Sequence, residues 1–450
     1  MARQRSTWRC QQCGHASARW VGRCPECGEY GTFVEEAPPS AAPGTSGASA
    51  SPRPTVALAD VSVSPDSRIP TGIAEFDRVL GGGLVRGSVV LIGGEPGIGK
   101  STLLLQASGR LGARGVPVLY VCGEESAQQV RSRADRIGAR DGISLLPEVD
   151  AAVIEATILA ERPEVVIVDS VQTLFDPGLD GVPGSVGQVR ATAARLVRLA
   201  KTSDITLIVV GHVTKDGSIA GPRVLEHVVD TVLYFEGDSD HAFRVVRAAK
   251  NRFGSAAEIG IFEMGEEGLV EVGQPSSALL AGRGERGVAG SAVMATIEGS
   301  RPLLVEIQAL ATPTYLQMPR RLSVGIDSAR LLQVLAILER RAGLPLGSYD
   351  VYVSVAGGVR VTEPALDLPL ALALASSRND RPVPHDAVAF GELGLTGDVR
   401  GVPHAAARLR EAARMGFSRA IGPTLATGVS RQPGYSDART LAVALEVAFG

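Results

Sequence analysis

The chain has 450 residues, 45% hydrophobic and 21% charged, which is enough apolar material for two or three packed domains. A formal net charge of −3 excludes a global basic field, so any polyanion has to be met by a local patch. Apolar runs such as "LPLALALA" (368–375) fall far short of a membrane span, and "MARQRSTWRC" at the start holds no apolar signal core, so a cytoplasmic protein without a membrane partner is expected.

Residues 1–34 hold four of the five cysteines, in "CQQCGHASARWVGRCPECG". Two residues between cysteines let one tight turn present two thiolates to a tetrahedral ion, so Cys10, Cys13, Cys24 and Cys27 are read as ligands of a structural Zn²⁺. Gly14 and Gly28 follow the second cysteine of each pair, where such turns often need positive φ. Four sulfurs fill the shell, which makes His15 a bystander. Cys122, alone in an apolar run, reads as a small core residue. Residues 35–56, rich in Pro, Ala, Gly and Ser, read as a flexible linker.

From 57 to 272, β-branched runs alternate with helical patterns: "SVVLIGG", "PVLYVCG", "EVVIVDS", "ITLIVVG", "TVLYFE" and "RVVRAAK". Wholly apolar strands separated by helices imply an α/β fold with a mainly parallel sheet covered on both faces. The first run leads into "GEPGIGKS" and then a helical pattern, the context a phosphate-binding loop requires. The backbone of Gly94, Glu95, Pro96, Gly97, Ile98 and Gly99 would wrap ATP phosphates, with N–H donors from all but Pro96; Lys100 would reach the β- and γ-phosphates and Ser101 would supply a hydroxyl to Mg²⁺. Asp169 ends the run "EVVIVDS", where a carboxylate can hold the water shell of Mg²⁺, with Ser170 adjacent. Glu124 and Glu125 end another run, and either could orient the attacking water.

Two loops are candidates for a phosphodiester backbone: 175–190, and 211–224 with His212, Lys215 and Arg223. Neither has the aromatics of a base-stacking platform. Only four of the 45 lysines and arginines are lysines (Lys100, Lys201, Lys215 and Lys250), which singles out Lys250 and Arg252 at the end of a strand-like run. A Gly/Arg-rich linker at 273–290 precedes an α+β domain, 291–450, whose "SARLLQVLAILERRAG" puts Leu331, Leu335 and Leu338 on one helical face.

This succession of motifs resembles the RadA (Sms) family of bacterial DNA-repair proteins, relatives of the RecA recombinase. The resemblance spans essentially the whole chain and rests on the four-cysteine finger, "PTGIAEFDRVLGGGLVRGSVVLIGGEPGIGKSTLLLQ", "GEES", "VIVDSVQT", "GHVTKDGSIAGPRVLEHVVDTVLYFEG" and "KNRFG". Tyr30 departs from it, since the family usually has tryptophan there. The resemblance implies a RecA-like ATPase core followed by a domain similar to the Lon peptidase. It selects Glu124 as the water-activating residue over Glu125, gives His212 the role of γ-phosphate sensor, and makes Lys250 and Arg252 fingers acting on a neighbouring subunit of a homo-hexamer. It further implies a DNA-dependent ATPase of recombinational repair, binding single-stranded DNA and branched recombination intermediates and meeting a RecA-type recombinase. Aligned on the Ser–Lys dyad of Lon-type peptidases, the chain has Asp367 at the serine position and Ala406 at the lysine position, so no peptidase chemistry is expected. Arg320, Arg321 and Arg330 are candidate DNA contacts. The rival readings are a KaiC-like ATPase switch, which shares "TGIAEFDRVLGGGL", and an ATP-dependent peptidase.

Overall fold

The computed structural model describes residues 7–10, 15–26, 28–36, 57, 68–179, 181–212, 225–237, 243–256, 258–284, 287–315, 318–426 and 434–450. Cys13, Cys27, Lys215 and Arg223 lie outside them. Chain contacts group the molecule into two compact units, one of residues 1–236, 246–256 and 265–269, the other of 237–245, 257–264 and 270–450.

In the first unit, a small antiparallel sheet is built from β1 (Thr7–Cys10), β2 (Ala16–Ser17) and β3 (Phe33–Glu36). Its two knuckles repeat one geometry: Cys10 N–H donates to His15 O at 2.9 Å, and Cys24 N–H to Glu29 O at 2.8 Å. Gly28 has φ 79°, as its place after a cysteine pair anticipates. Cys10 and Cys24 are buried beside Phe33, and the His15 ring packs edge-on against Phe33.

After β4 (Arg68–Ile69), α1 (Ala74–Leu80) and β5 (Leu84–Val85), the main sheet begins with β6 (Val89–Gly94). It continues through α2 (Lys100–Ala113), β7 (Val118–Cys122), α3 (Ala127–Arg136), β8 (Ile143–Leu146), α4 (Ala151–Glu161), β9 (Val165–Asp169), α5 (Val186–Ser203), β10 (Thr206–His212) and β11 (Thr231–Glu236). These strands lie in the order β11-β6-β10-β9-β7-β8, all parallel, and β12 (Phe243–Asn251) flanks β11. Every residue of β6, β7 and β9 is buried, as helices on both faces demand. Cys122 is among them. One expected loop is shorter than read: α5 begins at Val186, so the connection ends at Ser185. The reason is Gln188, whose fully buried amide donates to Asp176 O and Leu179 O at 3.1 Å and accepts from Asp176 N–H at 2.9 Å. That tie staples the loop to the helix and gives the segment a helical start that its Gly content hides.

The second unit contains a seven-stranded mixed sheet, in the order 321–324, 349–355, 301–313, 291–298, 387–389, 419–422 and 435–437. The helix Asp367–Asn379 runs through its core, with every residue from Asp367 to Ser376 buried. The apolar run noted in the sequence is therefore a core helix. The helix Ser328–Arg341 buries Leu331, Leu335 and Leu338, the face its periodicity predicts. Among the described residues, no helix is long and apolar enough to cross a membrane.

Candidate nucleotide site

The parallel sheet brings the ends of four strands to one edge. Gly94 of β6 pairs with His212 of β10, and Asp169 of β9 with Cys122 of β7, so the loops after these residues share the crevice at the carboxyl ends of the strands. Gly94 permits a close approach of neighbouring backbone, since a Cβ there would stand 2.8 Å from Phe235 O. Gly97 and Gly99 adopt φ 78° and 118°, which L side chains rarely take. Gly99 caps α2 without a side chain, leaving the first-turn N–H groups of a 14-residue helix for an anion.

Lys100 is buried, and its Nζ donates to Gly94 O and Glu95 O, each at 2.8 Å. The same nitrogen lies 3.4 Å from His212 Nδ1. Burial lowers the ammonium's pKa to about 8, against the opposing pull of Asp169, Glu124 and Glu95. On its other side the His212 ring meets Glu124, Nε2 to Oε1, at 2.8 Å. Ser170 Oγ donates to the same carboxylate oxygen. The hydrogen bond from His212, ahead of that from Ser170, holds the Glu124 carboxyl below the usual range despite partial burial. A continuous chain thus runs from Lys100 through His212 and Glu124 to Ser170. Glu125 takes no part: it turns to Arg133 of α3, at 2.5 Å.

Asp169 is buried at the tip of β9 and accepts a hydrogen bond on Oδ2 from Tyr120 OH at 2.6 Å. Its Oδ1 accepts none among the described residues. A carboxylate with one oxygen tethered and one free, at the same sheet edge as the loop that leads into Ser101, fits a Mg²⁺ held through water. Cys10 and Cys24, both buried in matching knuckles, fit two corners of a tetrahedral zinc site; Cys13 and Cys27, expected at the other two, lie outside the described residues.

Lys250 and Arg252 lie away from this edge. Lys250 Nζ donates to Glu226 O at 2.6 Å and Val229 O at 2.8 Å. Burial, then Arg252, lowers its pKa. Arg252 Nη1 donates to Asp230 Oδ1 at 3.0 Å, and Asp230 Oδ2 accepts from Val89 N–H at 3.1 Å. Lys201 also pairs with Asp230, at 3.4 Å. Val89 begins β6, whereas the glycine-rich loop follows its last residue, Gly94. Five residue steps of about 3.3 Å separate the two ends by roughly 17 Å, beyond the reach of a lysine or arginine side chain.

In the second unit, Asp367 is 1% exposed, and Arg330 clamps it with Nε to Oδ1 at 2.6 Å and Nη2 to Oδ2 at 3.0 Å. Leu393 N–H completes the set at 3.0 Å. The position aligned with the peptidase serine is therefore a carboxylate tied on both oxygens. Arg330 is committed to it, and Arg321 to the carbonyls of Leu346 and Tyr349, while Arg320 is exposed. Neither the Tyr120 tether nor the Arg330 clamp was foreseen. The signal for the first was a tyrosine in an otherwise apolar buried strand, a residue whose hydroxyl needs a partner.

Three family models match the chain: one described as AAA domain over residues 52–218, a zinc ribbon described as rubredoxin metal binding domain over 8–35, and one described as subunit ChlI of Mg-chelatase over 331–425. The DNA repair protein RadA of Bacillus subtilis (strain 168) is 50% identical over 429 residues, covering 94% of this chain and 93% of that protein. Its counterpart in Pseudomonas aeruginosa is 51% identical over 427 residues, covering 94% of each. Among solved structures, a KaiC-like protein of Pyrococcus horikoshii OT3 is similar at 21% identity and a TM-score of 0.38, covering 46% of this chain and 98% of that one.

Proposed function

The chain belongs to the RadA family of DNA repair proteins, RecA-like ATPases with a zinc ribbon and a Lon-like domain, and on that footing we propose that it couples ATP hydrolysis to movement along single-stranded DNA in recombination intermediates. The observation that carries the reading is His212, which touches Lys100 on one side and Glu124 on the other and opens directly into the segment 213–224. A γ-phosphate arriving at Lys100 competes with the His212 ring for the same ammonium. Movement of that ring releases Glu124 and displaces the start of the DNA-binding segment in one event.

In this mechanism the N–H groups between Gly94 and Ser101 hold the phosphates, and Lys100 meets the β- and γ-oxygens. Ser101 and Asp169 hold Mg²⁺, which when bound offsets the charge of the phosphates. Glu124 orients the attacking water and takes its proton once the His212 ring, whose hydrogen bond holds its carboxyl below the usual range, has moved away. Glu125, neutralised by Arg133, is the weaker candidate. Lys250 and Arg252 are too far from their own loop to act on it, so they act on a neighbour's, as in a ring of subunits, stabilising the charge that develops on the transferred phosphoryl group. The ring is a hexamer, with residues 57–272 as motor, 291–450 as assembly domain, and 1–34, after which the linker 35–56 follows, meeting a RecA-type recombinase or DNA in the cytoplasm. DNA backbone contacts come from 175–190 and 211–224, so binding weakens with salt. The clamped Asp367 speaks against peptidase activity in the second unit.

The test is steady-state ATPase with and without single-stranded DNA, on wild type and Lys250→Ala, together with nucleotide binding. DNA stimulation of the wild type is expected, with the variant retaining binding and losing turnover. Mixing the two should depress activity more than in proportion to the variant added. DNA-independent turnover with a fully active variant would move the KaiC-like switch ahead.

A further inference from the structure

We infer that Tyr120 is a positioning residue for the metal-binding carboxylate, setting which oxygen of Asp169 faces Mg²⁺. This rests on the reading of Asp169 as the Mg²⁺ carboxylate. Tyr120 is the middle residue of β7 and 1% exposed. Its backbone partner across the strands is Ile167, two residues before Asp169 on β9. Residues two apart on a strand share a face, so the phenol leans along that face and delivers its hydroxyl to Asp169 Oδ2 at 2.6 Å. Asp169 is itself buried, and its Oδ1 is the oxygen left without a hydrogen bond among the described residues. A carboxylate on a short side chain has one free torsion at its end, and without a tether either oxygen can turn toward the metal waters. The phenol removes that freedom. The strand could bury a phenylalanine at no cost in shape; the hydroxyl is the one atom whose presence the metal site explains.

The experiment measures binding of a fluorescent ATP analogue as Mg²⁺ is titrated, and again in EDTA, for wild type, Tyr120→Phe, Asp169→Asn and the double variant. Outer hydrogen-bond partners of metal ligands typically carry 10–100-fold in metal affinity, so Tyr120→Phe should raise the Mg²⁺ midpoint by about 10-fold or more. Metal-free nucleotide affinity and melting temperature should stay near wild type. In the Asp169→Asn background, Tyr120→Phe should add nothing. If Asp169→Asn shifts the midpoint and Tyr120→Phe does not, the inference on Tyr120 fails alone. If Tyr120→Phe instead weakens metal-free binding and melting equally in both backgrounds, its hydroxyl is structural and the inference fails. An Asp169→Asn variant with an unchanged midpoint would overturn both this inference and the assignment of Asp169 beneath it.

Discussion

Lys100 should make nucleotide affinity depend on pH on the alkaline side of neutrality. Before nucleotide binds, burial holds its ammonium at a pKa of about 8. Phosphate oxygens placed against it favour the charged form and raise that pKa. The liganded state therefore holds the proton more tightly than the free state, so affinity is complete below pH 8 and declines as pH rises through it. With a free-state pKa of about 8, the protonated fraction falls from about 0.9 at pH 7 to about 0.1 at pH 9, which is roughly a tenfold loss of affinity. At pH 8, binding should draw about half a proton from solution. Titration calorimetry in two buffers of different ionisation heat reads both quantities. Lys100→Arg, whose guanidinium does not titrate in this range, should bind with a flat profile. A wild-type affinity constant from pH 7 to 9, with no proton uptake at pH 8, would refute the argument from burial.

Two more expectations concern other parts of the chain. Arg330→Ala leaves the Asp367 carboxylate buried and unpaired, and should cost about 3–5 kcal/mol of stability. An apolar replacement of both partners, Arg330→Met with Asp367→Leu, should recover most of that loss in thermal or denaturant melts; a mild single variant would show the clamp to be dispensable. The zinc ribbon should hold about one Zn²⁺ per chain, released to a chromogenic chelator. Cys24→Ser should abolish that metal while leaving nucleotide binding unchanged, because the phosphate site draws its described residues from 94 to 212; loss of both together would contradict this separation.

What could be read in advance depended on how local its cause was. The glycine-rich loop announces itself because its glycines, lysine and hydroxyl follow one another, between a strand and a helix that local patterns also reveal. Asp169 was legible for the same reason, as the polar end of an apolar run. That Glu125 turns to Arg133 and Glu124 to His212 was beyond local chemistry, since Arg133 lies in the following helix and His212 three strands further along the chain. Tyr120 looked like any strand residue until β9 was laid beside β7. Arg330 invited a surface reading because charge in an amphipathic helix usually faces water. Its partner, 37 residues on, sits in a run so apolar that one aspartate at its start drew notice only by alignment. The start of α5 was hidden by Gly187 and by a preceding loop whose composition extends past its true end.

The 17 Å between the two ends of β6 has a geometric corollary. If the phosphate loop sits at one end of the strand and the cations that complete it at the other, each subunit offers a donor surface and a separate acceptor surface. Association through them is head-to-tail, and a twofold pair can never satisfy both. Such a contact either closes on itself after a fixed number of copies or winds into an open helix with one idle loop and one unused pair of cations at its ends. Catalytic output per subunit would then rise with protein concentration and level off only when the circle is complete.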